Sequence, residues 1–133
     1  MQPMNNSSDS DPIVFRYTRA MAIADGVLID AMQSELAEVS RQHFPGIHLA
    51  MTDTVFALLE SAVKAEVGCD YAGLWHDILW MARACPVTFL SNGRTFKVGI
   101  RAAHGLRWRE LKILFHPGDA GEPCGTVMRP EED

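Results

Sequence analysis

Around Pro86 the hydrophobic pattern of this chain changes period, from 3.6 residues before it to 2 after it, which divides the chain into a helical part and a stranded part. The last helical stretch, Asp70 to Ala84, is also the most apolar. Laid out from Tyr71 at 3.6 residues per turn, Met81, Leu74, Ile78, Tyr71, Ala82, Trp75 and Leu79 fall within an arc of about 160°. A face that wide must be buried, so the stretch reads as the central rod of a core. Asp70 is placed to accept from the free N–H groups of the first turn, and Pro86 cannot continue the helix. Trp80 breaks the pattern. It projects from the opposite side, with His76 and Arg83 on one flank and Asp77 on the other.

Upstream, the alternation in Ile13-Val-Phe-Arg-Tyr17 predicts a short strand. Thr18 caps a brief helix over Arg19 to Ala24, which Asp25-Gly26 ends, and Val27 to Ile29 reads as extended. Asp30 with Gln33 resembles a capping box and predicts a second helix to about Gln42, its inward row Met32, Leu36, Val39 and His43. Thr52 and Asp53 announce a third, to about Val67, with Val55, Phe56, Leu58, Leu59, Ala62 and Val63 inward and a Glu60–Lys64 pair outward. Glu66 falls inside that arc near its last turn. Gly68 ends the helix, so it and the Asp70 helix form an antiparallel hairpin in this reading.

After Pro86, Val87 to Leu90 and Arg94 to Arg101 flank Ser91-Asn92-Gly93, a hairpin signal because Asn-Gly supplies positive φ. Arg107 to Phe115 is a third alternating run, and Cys124 to Met128 a fourth. Phe96, Val98 and Ile100 make one face apolar, while Thr95, Lys97 and Arg101 line the other. The expected fold is α+β: a two-layer domain over residues 12–133, three to four helices packed on an antiparallel sheet of three to five strands, after a disordered leader at 1–11. That leader has no basic or hydrophobic region of a secretory signal. The three cysteines, Cys69, Cys85 and Cys124, are odd in number and lack CxxC spacing, which suits reduced thiols in a cytoplasm. No apolar run approaches the roughly 20 residues that span a bilayer.

Charge is segmented along the chain. Residues 1–80 carry a net −7, residues 81–118 a net +6, and residues 119–133 a net −4. The two signs either neutralise each other across the fold or orient a partner. The basic segment holds Arg107-Trp108-Arg109, a mixture of the kind that holds single-stranded nucleic acid, but alternation sends Trp108 to the face opposite the two arginines. The acidic part could instead imitate a phosphate backbone, with Glu35 and Glu38 neighbours on one helix. No HExxH, GxSxG or GKS/T motif is present, and the histidines lack metal-ligand spacing, so no cofactor or metal is expected. His76 and Asp77 are the best acid–base pair, yet adjacent helical residues diverge by about 100°. A small hydrolase or transferase would need a pocket gathering His76, Asp77, Cys69 or Glu66.

Three blocks resemble those of an uncharacterised family of small proteins carried by plasmids, integrative elements and phages of Gram-negative bacteria: Tyr17 to Asp30, Leu74 to Arg83, and Pro117 to Asp133. The resemblance implies a mobile-element setting and brings no activity, cofactor or catalytic residue. Together with the small, acidic composition it gives the leading expectation, a non-enzymatic protein that binds and inhibits a host defence complex such as a CRISPR surveillance complex or a restriction enzyme. The partner-binding residues would be Trp80, His76, Asp77, Arg83, Glu35, Glu38, Arg107 and Arg109. The alternative is an accessory protein of conjugation or plasmid maintenance, a monomer or homodimer that contacts single-stranded DNA through Arg94, Lys97, Arg101, Arg107 and Arg109.

Overall fold

The computed structural model describes residues 17–84 and 88–132. The leader, all but Tyr17 of the expected first strand, and the stop at Pro86 lie outside them. Four helices and six strands follow in the order α1 (Arg19–Ala24), β1 (Leu28–Asp30), α2 (Leu36–His43), β2 (His48–Thr52), α3 (Asp53–Lys64), α4 (Tyr71–Ala84), β3 (Thr88–Leu90), β4 (Gly93–Ala102), β5 (Gly105–Pro117) and β6 (Pro123–Met128). The strands form one sheet ordered β1-β2-β6-β5-β4-β3. All neighbours are antiparallel except β2 and β6. The expected three to five antiparallel strands are therefore six in a mixed sheet. The missing element is β2, whose Leu49, Ala50 and Met51 are fully buried. Buried on both faces, it shows a continuous apolar run and no alternation.

Phe96, Val98 and Ile100 of β4, Leu111 and Ile113 of β5 and Val127 of β6 face the helices. They pack against Val55, Leu59 and Ala62 of α3 and Leu74, Trp75, Ile78, Leu79 and Ala82 of α4, so α4 is the central rod its periodicity requires. Asp70 Oδ1 accepts from Gly73 N at 2.7 Å, and Arg94 donates to Ala82 O at 3.2 Å near the other end. Trp75 is wholly enclosed. Its Nε1–H donates to Ser40 Oγ at 2.9 Å, and Ser40 donates onward to Ala31 O at 2.8 Å, tying α2 to α4 and to the chain beyond β1. The short α1 lies on the opposite face of the sheet, since its Arg19 reaches Thr126, which alternates with the core-facing Val127. Two layers is therefore too few on that side.

Local departures have local causes. The Asp30–Gln33 pair forms as expected, but within a turn: Asp30 Oδ1 accepts from Met32 N at 2.9 Å and Oδ2 from Gln33 Nε2 at 3.2 Å. Ser34 then takes a φ of 53°, so α2 starts only at Leu36. Thr52 caps α3 through Val55 N, but the helix ends at Lys64, and Glu66, left-handed at φ 57°, lies exposed outside it. Phe56 stacks on Tyr71 with centroids 5.5 Å apart. This sets the first turns of α3 and α4 side by side, where a simple hairpin would set the last turn of one against the first of the next.

Candidate functional site

Helix α4 presents its outward edge to solvent, and Trp80, the residue that broke the hydrophobic pattern, is 46% exposed. Its indole is ringed by three groups. His76, one turn earlier, lies roughly parallel to it at 6.3 Å; the Arg83 guanidinium sits 5.7 Å from the ring centroid; His43 of α2 meets it edge-on at 6.2 Å. His43 was expected to face inward. It is buried, and its Nε2 lies 2.8 Å from His76 Nδ1. His43 Nδ1 is buried without a partner. A proton there would be a stranded donor, so the cheaper arrangement has His43 donating through Nε2–H to His76. Burial, then the nearby His76 and Arg83, push the His43 pKa below its ordinary value. Asp77, on the other flank, has its carboxyl pKa raised by partial burial, with His76 opposing.

That other flank holds a groove. A cavity of about 200 Å³ is lined by Asp77, Trp80 and Met81 of α4, Val98 and Gly99 of β4, and Leu106 and Trp108 of β5. Trp108 pairs with Gly99 in the β4–β5 ladder and is 64% exposed, and Leu106 is 57% exposed. Two tryptophans distant in sequence thus line one groove, with the Leu106 side chain lying over Gly99, where an added Cβ would meet it at 3.1 Å. Trp108 was expected only as a counterpoint to its neighbouring arginines. Its opposition to a glycine could have been found by pairing the two β-runs through their turn.

Other expected residues are more scattered. Arg107 and Arg109 stand opposite Ile100 and Val98, on the helix side of the sheet, where both line a small pocket with Leu58, Ser61 and Ala62 of α3. Lys97 and Arg101 share the opposite face with Trp108. Arg94 caps α4 and lies over Phe89 and Phe115. The ion pairs of the described residues join Arg41 to Glu38, His48 to Asp30, Lys64 to Glu60 and Arg129 to Glu131; Lys97, Arg101, Arg107, Arg109 and Lys112 enter none of them. Glu35 and Glu38 are exposed at the start of α2, away from the tryptophans in sequence and partly neutralised by Arg41. Of the acids considered for catalysis, Asp77 lines the groove whereas His76 turns to His43, and Glu66 is not brought to either. Among the described residues no group of three or more His, Cys, Asp or Glu is placed to hold a metal ion, and no helix is long and apolar enough to cross a membrane.

A second cluster, missed in the sequence, lies under α1. Arg19 donates through one terminal nitrogen to Thr126 Oγ1 at 2.8 Å, with His116 Nε2 at 3.3 Å, and through the other to His48 O at 3.2 Å and Gly125 O at 3.1 Å. His116 Nδ1 lies 3.1 Å from Pro117 O, which can only accept. Nδ1 therefore carries the proton, and Nε2 accepts from the Thr126 hydroxyl at 2.9 Å. Asp119 accepts from the first two backbone N–H groups of α1, at 2.9 and 3.0 Å. On the far side Glu132 accepts from Thr52, Thr54 and Arg129 N. Of these residues Arg19, Thr52, His116, Asp119, Thr126 and Glu132 line a cavity of about 730 Å³, but their polar atoms are largely taken up by the bonds just described. Cys124 nearby has its thiol pKa raised, chiefly by burial, so it is a poor nucleophile.

Comparison of the chain with protein-family models, with curated proteins and with solved structures finds no match.

Proposed function

We propose that the protein is a non-enzymatic binding module that docks on a larger protein assembly through the Trp80–Trp108 groove. One observation carries the reading: two exposed tryptophans from different elements flank a single apolar groove, joined by Leu106 and Met81. Exposed indoles concentrated in one place are costly to leave in water and are enriched among residues that dominate interface energies. His43, His76 and Arg83 hold the Trp80 ring in place before binding, which reduces the entropy lost on docking. The resemblance to mobile-element proteins suggests the partner: a host defence complex, either a CRISPR surveillance complex or a restriction enzyme, which this protein would inhibit by occupying it.

A tagged copy passed through lysate of a defence-bearing host should retain one large complex, and its expression should lower interference in a phage plating assay. The double substitution Trp80→Ala, Trp108→Ala should lose both effects while its circular dichroism is unchanged. Full interference in the presence of the wild-type protein, with nothing specific retained, would overturn the proposal. The unpaired bases motivate a second reading, single-stranded DNA held by the basic strands. It is less well supported, because Arg94 is engaged at α4 and the other bases divide between two faces.

A further inference from the structure

On the helix side of the sheet, across the strand from Trp108, lies a charge imbalance that the fold does not resolve. Arg107 and Arg109 stand opposite Ile100 and Val98, which are buried under the helices, so both arginine side chains leave β5 on that side. There they meet α3. Arg107 and Arg109 line a cavity of about 40 Å³ together with Leu58 and Ser61 of α3 and Arg101 at the end of β4, and none of its described lining residues is acidic. Glu110, next to Arg109 in the chain, pairs with Lys97 and leaves the strand on the opposite face. Glu60 of α3 is already paired with Lys64 at 3.8 Å. Among the described residues the side chains of Ser61, Arg107 and Arg109 enter no ion pair and no side-chain hydrogen bond. Three sets of donors thus border one recess with no acid to balance them, and the two positive charges repel each other across it.

We infer that this recess binds one phosphoryl dianion, either free phosphate or the terminal group of a small phosphate monoester. It goes beyond the docking reading and uses none of the residues on which that reading rests. The cavity has room for about three waters, the size of a single phosphate group. Residues two apart on a strand lie about 7 Å apart, close enough for two guanidinium forks to close on one tetrahedral anion from either side. A monoester carries about −2 charge at neutral pH, which matches two guanidiniums, and its three free oxygens accept from both forks and from the Ser61 hydroxyl. A carboxylate offers two oxygens and one charge, so it leaves part of the donor set unused. A nucleic-acid strand fits less well. Each diester carries a single charge, and the further bases that would follow the strand, Lys97 and Lys112, lie on the other face of the sheet.

The test is an amide NMR titration of the full chain with inorganic phosphate, phenyl phosphate and benzoate, the ionic strength held constant with sodium chloride so that general screening does not change. Both phosphates should give saturable shifts centred on Ser61, Arg107 and Arg109, and benzoate should bind about tenfold more weakly or worse. Arg107→Gln and Arg109→Gln should each weaken phosphate binding about tenfold, and Arg109→Lys should recover only part of the loss, since it keeps the charge without the fork. Ser61→Ala, at an exposed position of α3 where alanine suits a helix, should weaken binding about threefold without disturbing the fold. Phenyl phosphate binding tighter than inorganic phosphate supports an ester as the ligand; equal or tighter binding of inorganic phosphate supports the free ion. Shifts that grow linearly with phosphate, benzoate bound as tightly as phenyl phosphate, or unchanged affinity in both glutamine variants would each overturn the site. So would a dodecamer of deoxythymidine bound more tightly than phenyl phosphate through the same amides, which would assign the arginines to a nucleic-acid strand.

Discussion

Ser40 shows how much can rest on a residue that a hydrophobic pattern cannot single out. It is completely buried in α2, and its hydroxyl links the Trp75 indole N–H to Ala31 O. Ser40→Ala would strand both groups where water cannot reach them, at about 1–3 kcal/mol each. The expected loss is about 2–4 kcal/mol in urea unfolding, a large share of the 5–15 typical of a domain. Ser40→Cys should recover little, since a thiol is a weak donor and acceptor. His43 gives a different signature. Its folded pKa lies below the ordinary 6.5, because burial, His76 and Arg83 all disfavour the imidazolium. The unfolded chain therefore binds the proton more readily, and stability rises with pH. The contribution should be complete above about pH 6.5, decline as pH falls below it, and level off beneath the folded value. Urea midpoints measured between pH 5 and 8 should show this slope, and His43→Gln should flatten it. A pH-independent midpoint in the wild type would remove the assignment.

Among the elements, the hairpin of β3 and β4 was legible in position and misread in mechanism. Leu90 pairs directly with Gly93, so the connecting residues are Ser91 and Asn92, and neither they nor Gly93 has a positive φ. Gly93 is glycine for another reason: a Cβ there would collide with the backbone carbonyl of Ile113 on β5. Gly93→Ala should then open the β4–β5 ladder locally and cost about 2 kcal/mol or more, with faster amide exchange at residues 113–115. Unchanged exchange there would show that the strand adjusts without opening. The helices read well wherever a cap and a 3.6 period agree, as in α1, α3 and α4, because both signals are local. Where tertiary burial decides, the sequence is silent: β2 is apolar on both faces, and the delayed start of α2 depends on a left-handed Ser34. Trp80 could be singled out because it violates its own helix's pattern. Its groove could not, because that depends on tertiary packing that sets Trp80 and Met81 of α4 beside Val98 and Gly99 of β4.

At the scale of the molecule, the acidic ends and basic middle are not kept apart by the fold. Strand β6, from the C-terminal segment, inserts between β2 and β5, and several acids that looked available for a partner are engaged internally. Asp119 caps α1, and Glu132 gathers two threonine hydroxyls and a backbone N–H. Two stretches from opposite ends of the chain, residues 17–30 and 117–132, therefore meet each other around Arg19. That residue bridges α1, β2, β5 and β6 through one planar group. Lysine retains the charge but cannot present the same fork to two carbonyls and a hydroxyl. Arg19→Lys should therefore cost about 2–3 kcal/mol, in keeping with hydrogen bonds from a charged donor to partly buried acceptors. The loss should be felt in two places at once. Limited proteolysis and amide exchange are expected to loosen α1 and the loop from Pro117 to Pro123 together, since Asp119 joins the loop to the helix. A double-mutant cycle with Thr126→Val should show coupling of about 1 kcal/mol, because Thr126 passes the Arg19 contact on to His116. Additive effects, with loosening confined to α1, would mean that Arg19 merely anchors a short helix and that the two ends of the chain are stabilised separately.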